Sequence, residues 1–209
     1  MIFNCTPDVS VIIPTFNRAR HIETALQSVL AQSFTNWEVL IIDDGSSDNT
    51  FATLDPFIGQ FANIRYMKHR NRNAALSRNA GIQASFGRYI TFLDSDDAYL
   101  PNHLESRMAI MEEKPATDLL TGGYHCDEEI WVKDRHNPEK LVHIRECTLG
   151  ATFFGKRELF FALEGFRDLE YAEDAELWDR ASARFQVKKI EEPKTYLYQR
   201  AEDSITLNY

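Results

Sequence analysis

Asp94-Ser95-Asp96-Asp97 places three carboxylates within four residues, directly behind the apolar run Ile90-Thr91-Phe92-Leu93. Alternate carboxylates on a turn can converge on one hard cation. Mg²⁺ takes only one or two protein carboxylates, and phosphate oxygens and water fill its other positions. A departing pyrophosphate needs such a cation. The same aspartates also suit the cap and first turn of a following helix, with Asp97 as the cap. From the segment alone both roles stand: Asp94 and Asp96 on a metal, Asp97 on a helix.

Three further clusters have side chains suited to chemistry. Asp43-Asp44-Gly45-Ser46-Ser47-Asp48-Asn49-Thr50 offers a carboxylate that can accept a pyrimidine imide N–H, with Ser and Asn for ribose hydroxyls or for the turn and helix cap of an ordinary loop. Arg72-Asn73-Ala74-Ala75-Leu76-Ser77-Arg78-Asn79-Ala80-Gly81 mixes cations, amides and small residues. The planar fork of Arg78 can reach phosphates while Asn79 and its small neighbours permit close backbone approach; a solvated helix face is the plain alternative. Glu173-Asp174 follows Tyr171 and opens an amphipathic stretch. A carboxylate at a helix N-terminus is expected to stay ionised, as a base removing a hydroxyl proton must.

These clusters need elements to hold them. Val9–Ile13 is β-branched and stops at Pro14, which reads as a buried strand entering a loop. Ile22, Ala25, Leu26, Val29 and Leu30 recur at helical spacing, and residues 38–42 form a second short apolar run. The alternation continues with a helix near 47–59, a strand near 64–67, a helix near 74–85 and a strand at 89–93. It predicts an α/β fold with a mostly parallel, Rossmann-like sheet flanked by helices. Ligands of such sheets bind beyond the carboxyl ends of the strands. Pro14-Thr15-Phe16-Asn17-Arg18 and the two aspartate clusters fall at three such ends, forming one acidic, hydroxyl-rich rim. Farther on come a helix with Leu104, Met108 and Met111, a strand-like Leu119–Tyr124 and a polar, mobile or substrate-facing stretch at 134–140. A last helix carries Leu177, Trp178, Ala181 and Phe185 at core spacing.

Composition narrows the class. The formal charge of -9 over 209 residues argues against nucleic-acid binding. No signal segment and no span of roughly 18 to 20 apolar residues is visible, so a cytoplasmic location is expected. Cys5, Cys126 and Cys147 are scattered too irregularly for a disulfide framework or zinc, and His125-Cys126 and His143…Cys147 read as incidental pairs. None of the nine glycines forms GxGxxG after the first strand, and there is no P-loop, which weighs against dehydrogenases and P-loop enzymes.

Taken in order, Val9–Arg18, Asp43–Thr50, Arg78-Asn79-Ala80-Gly81, Asp94-Ser95-Asp96-Asp97 and Glu173-Asp174 resemble glycosyltransferase family 2, over nearly everything from Val9 to Tyr198. The resemblance implies a GT-A fold in one catalytic domain, residues 1–97 binding the donor and 98–209 the acceptor. It implies inverting transfer with Mg²⁺ or Mn²⁺ at the DxD motif. Carried over by position, Pro14, Thr15, Asn17 and Arg18 would line the nucleoside pocket and Asp43, with Asp44 and Ser46, would meet the nucleoside. Arg78 would face the phosphates, and Asp94, Ser95 and Asp96 would hold ribose and metal. Asp174 would be the base, beside Glu173. Gly150-Ala151-Thr152-Phe153-Phe154 and Gly165-Phe166 look like the acceptor side. Asn73 and Ser77 stand where the family often has Gly and Ala, and Tyr196-Leu197-Tyr198-Gln199-Arg200…Ser204 loosely resembles the tail that closes over the donor.

The expected reaction is transfer of a sugar from a UDP- or dTDP-sugar to a hydroxyl of a saccharide, lipid-linked or other acceptor. Its setting would be synthesis of cell-surface polysaccharide or glycoconjugate. A lipid-linked acceptor would call for peripheral contact at the inner face of the membrane, for which Trp131-Val132-Lys133 and Phe160-Phe161 are candidates, although such aromatics are more often core. The alternatives are a non-catalytic nucleotide-sugar-binding subunit and a nucleotidyltransferase on a similar sheet.

Overall fold

The computed structural model describes residues 6–70 and 73–199. Cys5, Arg72, Arg200 and Ser204 lie outside the described residues.

The chain runs β1 (Val9–Thr15), α1 (Ile22–Leu30), β2 (Trp37–Asp43), α2 (Thr50–Gln60), β3 (Ile64–Lys68), α3 (Ala74–Ala84) and β4 (Tyr89–Phe92). Next come β5 (Ala98–Tyr99), α4 (His103–Glu113), β6 (Leu119–Gly122), β7 (Tyr124–His125), β8 (Trp131–Lys133) and β9 (Leu141–His143). The last elements are β10 (Phe154–Lys156), α5 (Arg157–Ala162), α6 (Glu173–Ser182), β11 (Val187–Ile190) and β12 (Tyr196–Leu197). A seven-stranded sheet has the order β11-β6-β10-β4-β1-β2-β3. Its neighbours are parallel except for β10, which is antiparallel to both β4 and β6.

Alternation along the strands sends side chains to two cores. Val9, Val11 and Ile13 of β1 and Val39 and Ile41 of β2 pack with Leu26 of α1, Leu54 of α2 and Leu104 of α4. Ile12, Leu40 and Ile42 face the other way, onto Ile82 of α3, Phe160 of α5 and Leu177 of α6. Fully burying such a side chain contributes about 1.5–3 kcal/mol, so these strands are the rigid base on which the loops stand. Register then sets where the loops emerge. Thr15 pairs with Asp43 and Ile12 with Phe92, so β1, β2 and β4 present their polar turns side by side.

Beyond β4 the structure departs from simple alternation. The antiparallel β10 and the short α5 carry no periodic signature long enough to be read from sequence, and β10 is the one antiparallel strand in a sheet that is otherwise parallel, as expected. Gly122 (φ +95°) and Gly123 (φ +65°) break the expected strand 119–124 into β6 and β7, because a left-handed turn there excludes most side chains. β7 then joins a small sheet, β5-β12-β7, that brings the C-terminal segment beside β5. Residues 134–140 form the tip of the β8–β9 hairpin, with the Asp134 carboxylate accepting the His136 and Asn137 N–H groups. Phe160 belongs to the core and meets Phe92 edge-on at 5.5 Å, which removes it as a membrane contact, whereas Trp131 is 54% exposed. Among the described residues no helix is long and apolar enough to cross a membrane.

Candidate active site

A cleft of about 1010 Å³ opens over the carboxyl ends of β1, β2 and β4. Pro14, Thr15, Asn17, Arg18, Asp44, Arg78, Asp94, Ser95, Asp96, Glu173 and Asp174 all line it. Residues from five separate stretches of sequence thus meet on one surface.

Two of the expected residues stand off that wall. Asp43 is fully buried, and its carboxylate accepts the Ser46 N–H at 2.7 Å and the Tyr66 hydroxyl at 2.5 Å. Ser46 is also absent from the wall, and its hydroxyl accepts the Asn17 N–H at 2.8 Å. Asp43 and Ser46 therefore brace the loop, and the carboxylate of this pair that faces the cleft is Asp44. Asn17, at φ +53°, accepts the Ser47 N–H at 2.8 Å and locks the first loop to the second. Such a left-handed conformation is tolerated by Asn better than by most residues.

The aspartates after β4 do not cap a helix. β5 intervenes, and α4 starts at His103 with Asn102 at its cap. Asp97 instead accepts the Tyr196 hydroxyl and the Gln199 N–H, and the Asp94 N–H donates to the same Tyr196 hydroxyl at 3.3 Å. The C-terminal segment is thereby fastened across the turn, and Tyr198 and Gln199 reach the cleft. Burial first, then the charge of Asp94, pushes the Asp96 carboxyl up to about 6. With Asp97 committed to the tail, Asp94 and Asp96 are the carboxylates suited to a ligand here. Among the described residues no three His, Cys, Asp or Glu side chains converge as a metal cage. Two hard oxygen donors side by side, Asp94 held by Arg78 and Asp96 destabilised by burial and by the charge of Asp94, fit a divalent cation that takes its other ligands from a diphosphate.

Arg78 is 6% exposed and joins two elements far apart in sequence. It donates to Asp94 at 2.8 Å and to Glu173 at 2.9 Å, and its guanidinium lies 5.6 Å from the centre of the Phe166 ring. Burial alone would lower its pKa, but the charges of Asp94 and Glu173 hold it above the ordinary arginine value. Its fork is thus engaged by carboxylates, where the sequence suggested phosphates. Asn79 likewise serves structure, its amide bonding both the N–H and the carbonyl of Phe166 at 2.8 and 2.7 Å. The left-handed Gly165 beside it leaves room for that amide, since a Cβ there would sit 2.2 Å from Asn79 Oδ1.

Asp174 lies in the first turn of α6 and accepts the N–H of Gly150 at 3.0 Å and of Ala175 at 2.7 Å. These bonds and Arg78 favour its charge, but burial, followed by the adjacent Glu173, outweighs them and pushes the carboxyl up to about 6. The helix N-terminus was expected to keep this carboxylate ionised; burial works against that and raises the carboxyl above its ordinary value. Leu177 and Ala181 are buried as expected, and Trp178 packs against the same core as its spacing implied; it also lines the cleft, a position that its i+4 spacing from Asp174 could have signalled. Cys126 packs with Ile130 and Ile144, and the Cys147 thiol, on the cleft wall, is raised by burial.

Comparison with known proteins identifies the family and the fold. The model of Glycosyl transferase family 2 matches residues 10–167. An Escherichia coli relative, UDP-Glc:alpha-D-GlcNAc-diphosphoundecaprenol beta-1,3-glucosyltransferase WfgD, is 40% identical over 150 residues, which cover 68% of this chain. The chain spans 57% of that relative's length, and only 17% of a Rickettsia felis glycosyltransferase to which it is 44% identical over 105 residues. The crystal structure of S. aureus TarS in complex with UDP-GlcNAc superposes with a TM-score of 0.78 at 21% identity, covering 97% of this chain and 61% of that one. A Pyrobaculum calidifontis mannosyltransferase in complex with GDP-Man and Mn²⁺ gives 0.75 at 18% identity, covering 96% and 59%. The fold is therefore GT-A, and the chain belongs to glycosyl transferase family 2.

Proposed function

We propose that the protein is a metal-dependent inverting glycosyltransferase that moves a sugar from a UDP- or dTDP-sugar to an acceptor hydroxyl in the synthesis of a cell-surface polysaccharide or glycoconjugate. The observation that carries this reading is that Asp94 and Asp96 share one cleft with Asp174, and that Arg78 joins Asp94 to Glu173 on the helix of Asp174. Residues 1–97 serve the donor and 98–209 the acceptor.

On the donor side Asp44 accepts the imide N–H of the pyrimidine, the role that the sequence gave to Asp43. The Thr15 hydroxyl, buried at the cleft with no hydrogen-bond partner among the described residues, is a group that a bound nucleoside would satisfy. Solved relatives of this fold hold UDP-GlcNAc in one case and GDP-Man in another, so the choice of base rests with residues such as Asp44 and not with the fold. Asp94 and Asp96 would hold Mg²⁺ or Mn²⁺, which when bound supplies positive charge to the diphosphate. Arg78 fixes the orientation of Asp94. On the acceptor side Asp174 takes the hydroxyl proton as the oxygen attacks the anomeric carbon. The bond from that carbon to the diphosphate oxygen breaks, and the configuration inverts. WfgD is named for a lipid-linked acceptor, which makes an acceptor of that kind the first to test here.

The test is release of nucleoside diphosphate from a panel of UDP-, dTDP- and GDP-sugars with acceptor extract, with and without EDTA. We expect EDTA-sensitive release from a pyrimidine donor that Asp174→Asn abolishes while UDP still binds. Release from no donor, or equal turnover by the variant, would overturn the proposal.

A further inference from the structure

The geometry points to an acceptor subsite for a pyranose ring, floored by the indole of Trp178 and walled by the β8–β9 hairpin. Resting on the reading above, it assigns the acceptor to the cyclic sugars as a class.

Asp174, Ala175, Trp178 and Asp179 all line the cleft. On a helix these positions share one face, so the indole stands one turn below the carboxylate assigned as base. The opposite face, with Leu177 and Ala181, is sunk in the core, which fixes the rotation of α6. Phe153 lies behind the indole, nearly parallel at an interplanar angle of 17° with centroids 6.2 Å apart. The indole packs against the core beside Phe153, is half-buried and keeps part of its surface on the cleft. A partly open aromatic surface beside the assigned base suits a ligand with an apolar face. The axial C–H groups of a pyranose are such a face, and the negative charge of the indole π-surface attracts them. An acyclic polyol presents no comparable plane.

The hairpin closes the opposite side. Arg135 pairs with Asp179 on α6, and the Tyr171 hydroxyl donates to the Lys133 carbonyl at 2.6 Å. Val132, Lys133, Asp134 and His136 face the cleft from it. A ring resting on Trp178 would be held between this wall and Asp174, with a hydroxyl on its edge presented to the carboxylate.

The test is saturation-transfer-difference NMR on the whole chain with saturating Mg²⁺ and UDP. The probes are methyl glycosides of glucose, galactose, N-acetylglucosamine and rhamnose, with ribitol and glycerol as acyclic controls. We expect saturation of ring-face protons of at least one glycoside and none of the polyols. In Trp178→Leu that glycoside should weaken by about tenfold, in line with a stacking contact, and Trp178→Phe should retain much of it. The UDP signal, unchanged in both variants, reports that they are folded. Equal saturation by the polyols, an unaltered glycoside signal in Trp178→Leu, or no glycoside signal beside a clear UDP signal would overturn the subsite. Absence of the UDP signal itself would overturn the donor reading instead.

Discussion

The carboxylate of Asp174 accepts the backbone N–H of Gly150 at 3.0 Å, so the residue assigned as base is oriented by a distant loop as well as by its own helix. A Cβ on Gly150 would lie 2.9 Å from Asp174 Cβ, closer than carbon atoms approach. Gly150→Ala should therefore push the carboxylate aside while leaving the donor wall intact. We expect kcat to fall by about 10- to 100-fold, the effect of misplacing a reacting group by a fraction of an ångström to an ångström. UDP affinity, measured by calorimetry, should be unchanged.

Turnover should titrate with Asp174. Its carboxyl sits near 6, so below that pH the base is protonated and kcat should decline by about tenfold per unit. The folded protein also binds this proton more tightly than the unfolded chain, whose value is the ordinary 3.8. Stability from this group is thus highest below about 4 and is lost as pH rises towards 6. The difference in Tm between Asp174→Asn and the native chain should become more favourable to the variant as pH is raised through that window. A constant difference would show that burial does not hold the group above its usual range.

Arg78 pairs with both Asp94 and Glu173, and its removal leaves those two carboxylates without the cation that joins them. Arg78→Met should cost about 3 kcal/mol, less than a fully buried pair because Asp94 is partly solvated. That corresponds to a fall in Tm of roughly 6–12 °C for a chain of this size, measurable by scanning calorimetry. Arg78→Lys should recover only part of it, because a single ammonium cannot span both carboxylates as the fork does.

The paired aspartates after β2 should separate structure from recognition. Asp43→Ala removes the acceptor for the Ser46 N–H and the Tyr66 hydroxyl, and should lower Tm with little change in nucleotide preference. Asp44→Asn should instead weaken UDP by about tenfold relative to GDP, the effect of losing one charged hydrogen bond. Thermal shifts with each nucleotide measure both. A larger loss of selectivity in the Asp43 variant would reverse the assignment.

The first half of the fold was legible because its signals are local. β1, β2 and β4 are short apolar runs separated by helices, and burial along their whole length forces that pattern into the sequence. The second half was harder. β10 is three residues long and β12 two, lengths at which periodicity carries no information. They are stabilised by pairing with strands far away in the chain, which no local window records.

Residue types, spacing and order along the chain were enough to single out Asp94, Asp96, Asp174 and Arg78, which the structure brings to one cleft, and to indicate the family. Which of two neighbouring carboxylates faces a ligand is a different kind of fact. Asp43 and Asp44 differ by one position, and a strand sends successive side chains to opposite sides, so the register of β1 against β2 decides between them. Likewise Asp97 belongs to the tail and not to a helix, Arg78 spans 95 residues to reach Glu173, and Trp178 turns to the cleft. Each of these depends on contacts whose partners lie far apart in sequence, and only the packed tertiary structure brings them within bonding distance.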